Sequence, residues 1–229
     1  MKKIFYIVLF AVVLTGCDSL LQEQKPQNSV DPTVVFKDAP GARAAIIGAY
    51  DALQSASYYG VDFLLLPEVH GGNLSHTGTF PSYAQFANRS LLNDNANVTN
   101  MWAQIYVGIN RVNQIIDKVP KITDPALTQA EKDQIAGEAL FLRALHYSNL
   151  VKYWGGVPLK LTPSDDASPS KIILPRATKD AVYAQILVDL AEAIVKLPAS
   201  PSNKARASQA AAHALKARIH LYLGQYTEA

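Results

Sequence analysis

From about residue 34 onward, apolar positions recur every three to four residues, the period of a helix with one buried face. Residues 40–55 place Ala42, Ala45, Ile46, Ala49, Tyr50 and Leu53 on one stripe. Residues 97–119 repeat the pattern with Val98, Met101, Trp102, Ile105, Tyr106, Ile109, Val112, Ile116 and Val119, and Pro120 ends it. Thr128 and Glu131 form a T-x-x-E capping box, which predicts a helix from there to about Trp154. Gly155-Gly156 stops that helix and Pro158 keeps it stopped. Thr178 caps another helix, with Asp180 at its positive dipole end and Val182, Ile186, Leu187, Leu190, Ile194 and Leu197 as its buried face. A last helix is expected from about Ser208 to Leu223, with Gly224 after it. No run of alternating strands supports a sheet, so the expected fold is mostly α.

Two long insertions interrupt the helices. Residues 57–96 hold Gly71, Gly72, Gly78, Pro81 and many Asn, Ser and Tyr, and residues 157–177 hold four prolines and Asp165-Asp166. A connection of some 40 residues far exceeds the usual length of about 4–6, so it is expected to be functional or to carry short elements. Two helices also match each other. Ala139, Leu140, Arg143 and Tyr147 recur at the same spacing as Ala214, Leu215, Arg218 and Tyr222, and each set precedes a glycine stop. A small residue that admits a neighbouring helix, beside Leu and Tyr that fill its groove, is the logic of stacked helical hairpins. The stretch Ala217 to Ala229 resembles a tetratricopeptide repeat, in which Gly224-x-Tyr226 turns and Glu228-Ala229 opens a second helix. On this reading the chain is expected to be the N-terminal portion of a longer protein.

The N-terminus changes the picture of where the helices reside. Lys2-Lys3 is followed by an apolar run of eleven residues, Ile4 to Leu14. That is too short to span a bilayer, which takes about 20 residues, and fits a secretory signal over residues 1–16. Leu14-Thr15-Gly16-Cys17 resembles the bacterial lipobox, and Cys17 is the only cysteine. In such signals the thiol is acylated and the chain is cut before it. Several acyl chains give durable anchoring where one is marginal. The competing reading is a buried structural cysteine behind an ordinary signal. Residues 17–33 are polar, with prolines and no periodicity, and are expected to form a flexible tether ahead of a domain over 34–229.

Charge narrows the partners. The chain carries a net +2, and without residues 1–16 its Lys+Arg and Asp+Glu are equal at 19 each. A neutral body with no basic stripe argues against nucleic acid. No GxSxG, P-loop, HExxH or GxGxxG is present, so no cofactor is expected and the chain reads as a binding protein rather than an enzyme. His70 and His76 lie in a loop, and His213 and His220 share a helix face, but neither pair has further ligands at metal spacing. Asp165 and Asp166 are adjacent and not placed for paired-carboxylate chemistry.

Several stretches resemble one family. The run from Glu138 through Arg143, Ala144, Leu145, His146 and Tyr147 to Trp154-Gly155-Gly156-Val157-Pro158-Leu159 resembles the signature of the SusD/RagB outer-membrane lipoproteins. Trp102, Tyr106, Ile109, Asn110 and Asn113 resemble that family's next most regular stretch, and the Ala42–Tyr50 helix and the lipobox also fit. The resemblance implies tetratricopeptide-like hairpins with long loop insertions and a location on the outer face of the outer membrane. It also implies capture of oligosaccharide, or sometimes peptide, for a SusC-like TonB-dependent transporter. Asp18 after the cysteine would signal inner-membrane retention under enterobacterial rules, and the resemblance outweighs it. Family members run to about twice this length, and the second half supplies much of the ligand face.

Glycan sites use aromatic planes that stack on sugar rings, flanked by amides and charges. The 57–96 region has that mix in Tyr58, Tyr59, His70, Asn73, His76, Tyr83, Phe86, Asn88 and Arg89. His70, Asn73, His76, Tyr83, Phe86 and Arg89 are the candidate ligand-binding residues. Loop packing is the competing reading for each. Trp102 and Trp154 sit at helical spacing among apolar residues and read as core. Tyr147 and Tyr222 read as repeat packing, and Arg143 and Arg218, at matched repeat positions, as partners for a carboxylate such as Glu138 or Glu228. The alternative function is a scaffold lipoprotein of tetratricopeptide type that binds only proteins; the long insertions and the 75-residue offset between the matched helices argue against it.

Overall fold

The computed structural model describes residues 32–164 and 173–229. The signal, Cys17, Asp18 and the tether as far as residue 31 lie outside the described residues, as do Asp165 and Asp166; the expected tether's last two residues, Pro32 and Thr33, belong to a helical turn. Every regular element among the described residues is helical. A first turn, α1 (Pro32–Val35), leads into α2 (Ala39–Asp51) and a 3-10 turn (Ala52–Gln54). A wide π turn (Ala56–Gly60) then precedes α3 (Asp62–Gly71) and α4 (Pro81–Ala87). The long helices α5 (Ala96–Lys118), α6 (Gln129–Trp154), α7 (Lys179–Lys196) and α8 (Gln209–Tyr222) complete the chain.

The helix starts are where short polar side chains satisfy free N–H groups. Thr128, Thr178 and Ser208 accept from the backbone N–H of Glu131, Ala181 and Ala211 at 3.2 Å each. Asn95 accepts from both Asn97 and Val98 at the start of α5. The capping box at Thr128 is only half made. The Glu131 carboxylate turns away to Arg43, which donates to it through Nε at 2.6 Å and through Nη2 at 2.9 Å, tying α6 to α2.

Helix α6 is the axis of the fold. It is buried nearly all round, by α5, α7 and α2. One core cluster gathers Met101, Ile105 and Ile109 of α5 with Tyr147 and Leu150 of α6 and Ile186 and Leu190 of α7. A second gathers Ala42, Ile46 and Ala49 of α2 with Val112 and Ile115 of α5 and Leu142 of α6. At the end of α6, Gly155 takes the left-handed φ of 70° that a side chain disfavours. Arg176 clamps this corner by donating to the carbonyls of Trp154 and Gly156 at 2.6 Å each.

Polar groups inside the core are paired across helices. Arg143 forms a two-pronged bond to Asp189 of α7, at 2.8 and 2.7 Å, and reaches Asn113 of α5 at 3.0 Å. The partner of Arg143 is therefore Asp189, neither Glu138 nor Glu228 as the sequence suggested. Glu138 is fully buried and accepts instead from Arg206 at 2.7 Å and Gln134 at 2.9 Å. The matched tyrosines also diverge. Tyr147 is buried, with its hydroxyl bridging the N–H and carbonyl of Lys160. Tyr222, expected to pack likewise, is 50% exposed.

Candidate functional site

The 57–96 region carries short elements, one of the two expected outcomes: after the π turn come the helices α3 and α4. Helix α3 ends on Gly72 in the left-handed conformation, with Asn73 N–H returned to the Glu68 carbonyl at 2.9 Å. Pro81 opens α4, where its missing N–H costs nothing. The two helices are locked together by Asp62, a buried carboxylate at the first turn of α3. It accepts from the Tyr83 hydroxyl at 2.7 Å and from the Asn97 amide at 3.1 Å. The bond to Asp62, followed by burial, holds the Tyr83 phenol above its ordinary pKa, so it stays a protonated donor. Asn95 ties α4 to α5 through bonds to the Ser82 carbonyl and the Gln85 side chain.

An open pocket of about 330 Å³ lies between α3 and α4, lined by Leu65, Val69, Leu74, His76, Phe80 and Tyr83, with Ser75 at its edge. Its aromatic members touch one another. His76 stacks on Tyr83 at 5.9 Å between ring centroids, and Phe80 meets Tyr83 edge-on at 6.3 Å. Phe80 is 65% exposed, so an aromatic face is offered to solvent. His76 Nε2 is shielded beneath Gly78 and has no hydrogen-bond partner, so the ring contributes its face to the pocket.

Of the six expected ligand residues, the structure brings His76 and Tyr83 into this pocket. Phe86 is buried in the core, with the edge of His70 packed against it at 6.3 Å, so its ring is a packing element and is not offered to a ligand. The Asn73 amide is held by Glu68 at 2.7 Å. Arg89 follows α4 with a left-handed φ of 53°, and its guanidinium lies beside Gly72. Sequence reasoning missed Phe80 and Leu74. The aromatic-proline pair Phe80-Pro81 at a helix start was the available signal for the first.

A second hollow of about 280 Å³ lies between α5 and the segment after α6, lined in part by Trp102, Tyr106, Asn110 and Pro158. Trp102 and Trp154 meet edge-on at 5.2 Å and are half-buried against the core, so Trp102 packs and lines a hollow at once. The polar groups there are engaged: the Tyr106 hydroxyl donates to the Pro158 carbonyl at 2.7 Å, and Asn110 accepts from the Ser164 N–H at 2.9 Å. Among the described residues no group of three His, Cys, Asp or Glu side chains could hold a metal, and no helix is long and apolar enough to cross a membrane. His220 Nδ1 is paired with Gln225 at 2.8 Å.

The helical hairpins define an all-helical scaffold among the described residues, and comparison with known proteins gives it a family. Residues 47–221 match the SusD-like family model described as starch-binding and associating with the outer membrane. SusD-like protein P38 of Formosa agariphila is 32% identical over 98% of this chain and 43% of its own length. SusD-like protein P2 of the same organism is 30% identical over 99% of this chain and 44% of its own length. Among solved structures, a laminarin-binding SusD-like protein superposes with a TM-score of 0.68 at 27% identity, covering 84% of this chain and 42% of that one. A SusD superfamily protein from Bacteroides vulgatus superposes with a TM-score of 0.72 at 22% identity, over 82% of this chain and 40% of that one, and supports the fold. The chain belongs to the SusD-like family, and it spans less than half the length of these curated relatives.

Proposed function

We propose that this chain is the glycan-binding N-terminal part of an outer-membrane lipoprotein that captures oligosaccharide and passes it to a SusC-like TonB-dependent transporter. The observation that carries the reading is the exposed aromatic pocket of Phe80, Tyr83 and His76 in a chain of the SusD-like family. An exposed aromatic face suits a sugar, whose C–H face stacks on it. The laminarin-binding relative supports a glucan as the first ligand to test. The lipobox supports acylation of Cys17, with the membrane reached through a lipid anchor and the protein facing outward. The pocket reads as a place of binding and not of chemistry.

The test is calorimetric titration of the purified protein with laminarin and starch oligosaccharides. Tyr83→Ala removes the stacking ring and is expected to weaken binding about tenfold, the weight of one aromatic contact of about 1.4 kcal/mol. Tyr83→Phe keeps the ring and is expected to retain most of the affinity. Equal affinity in the native protein and Tyr83→Ala would remove the pocket from the glycan site. Co-purification of a TonB-dependent transporter with the membrane-anchored protein tests the delivery step.

A further inference from the structure

A different face of α3, together with α6 and α8, carries a cluster that the pocket above does not use. Lys152 Nζ lies 5.8 Å from the centre of the Phe63 ring and 5.9 Å from that of Tyr222. Arg218 is one turn before Tyr222 on α8, and residues four apart share a helix face, so its guanidinium sits on the same side as the Lys152 ammonium. Phe63 packs on Tyr153 and Tyr59, at 5.3 and 4.6 Å between centroids, which extends the aromatic floor. Tyr59 is also a wall of an open pocket of about 380 Å³ that it shares with Leu53, Gln54, Gly60 and Leu145. That volume falls at the lower end of the ligand-pocket range of about 300–1,000 Å³.

Two cations beside one another are unfavourable unless something negative joins them. The ion pairs among the described residues include neither Lys152 nor Arg218. Partial burial, and then the nearby Arg218 charge, lower the Lys152 pKa. Arg218 is also felt by the Tyr59 phenol, which joins the cationic rim to the pocket wall. The chain therefore holds two positive charges beside an aromatic floor of Phe63 and Tyr222, which continues through Tyr59 to the wall of the hollow.

We propose that Lys152 and Arg218 bind the anionic substituent of an acidic saccharide, a carboxylate or a sulfate ester, while its sugar ring rests against the Tyr59 wall. The inference rests on the glycan-binding reading and narrows it to charged glycans. Arg218 supplies a planar fork for two anionic oxygens and Lys152 a point charge.

The experiment titrates the protein with three probes of equal length: a neutral oligogalactan, a sulfated oligogalactan and an oligogalacturonate. The acidic probes are expected to bind about tenfold tighter than the neutral one, with an affinity that falls as salt rises. Whichever acidic probe binds tighter identifies the substituent as carboxylate or sulfate. Lys152→Gln and Arg218→Gln are expected to abolish the acidic preference and leave neutral binding intact, and Lys152→Arg to restore it. Both positions are exposed, so the variants are expected to melt with the native protein. Persistence of the acidic preference in Lys152→Gln with Arg218→Gln combined would overturn the inference, as would equal weakening of neutral and acidic probes. Failure of all three probes with laminarin and starch oligosaccharides still bound would overturn the inference alone, and failure of the laminarin and starch oligosaccharides as well would overturn the glycan reading itself.

Discussion

His146 is expected to make the fold acid-sensitive. The ring is fully buried in α6, with Nδ1 3.2 Å from the Tyr58 hydroxyl and Nε2 unpartnered. Gly108 of α5 presses against it so closely that a Cβ there would lie 2.5 Å from Nε2. Asn149, the next polar neighbour, spends its amide on the hydroxyls of Tyr58 and Tyr59. Burial pushes the imidazole pKa down to about 3. The unfolded chain binds this proton near pH 6.5 and the folded chain does not, so stability is complete above that value and falls with pH until the folded pKa is reached. The full loss is about 5 kcal/mol, from a shift of about 3.5 units at about 1.36 kcal/mol each, and about 2 kcal/mol of it is reached by about pH 5. That is a large part of a total stability of about 5–15 kcal/mol. Urea midpoints measured between about pH 8 and pH 5, for the native protein and His146→Gln, isolate the contribution. The range stays above the region where Asp124 and Glu131, both held below their ordinary pKa, give up their own stabilisation. The native protein is expected to lose about 2 kcal/mol more than the variant over this range. Parallel pH profiles, or an imidazole resonance of His146 that titrates near pH 6.5 in the folded state, would refute the reasoning.

Two further outcomes follow from the core. Asp189→Ala strands the buried Arg143 guanidinium and is expected to cost about 3–5 kcal/mol, read as a fall in urea midpoint with no change in slope. Gly108→Ala drives a methyl into His146 Nε2 and is expected to cost about 1–3 kcal/mol in thermal unfolding, relieved in part by His146→Ala, because the two changes share one contact.

The long helices were legible because their signals are local. The caps read at Thr128 and Thr178, and the stop at Gly155, each act within a turn of the residue that carries them. The partners of Arg143 were not legible, because Asp189 lies 46 residues away and is chosen by the crossing of two helices. Glu131 shows the same limit. Its spacing from Thr128 predicts a reciprocal cap, but Arg43, 88 residues upstream, offers a two-pronged charged bond and wins the carboxylate. Phe86 read as a loop aromatic because Gly and Asn are dense around it. The short helix that buries it spans only Pro81–Ala87, too few residues for a periodic signal to stand out.

The matched motifs on α6 and α8 show how position separates scaffold from surface. Both carry the same Ala, Leu, Arg and Tyr at the same spacing. On α6 the arginine meets Asp189 and the tyrosine meets the Lys160 backbone, so both are consumed by packing. On α8 the helix packs on α7 and the edge of α6, and its arginine and tyrosine face outward toward Lys152. On the acidic-glycan proposal, a side chain that folds the protein in one repeat recognises a ligand in the next. Discrimination between acidic and neutral glycans at Arg218, with none expected at Arg143, follows from that difference alone. The spacing of the motif fixes which residues share a face, and only the neighbouring helix decides whether that face is closed.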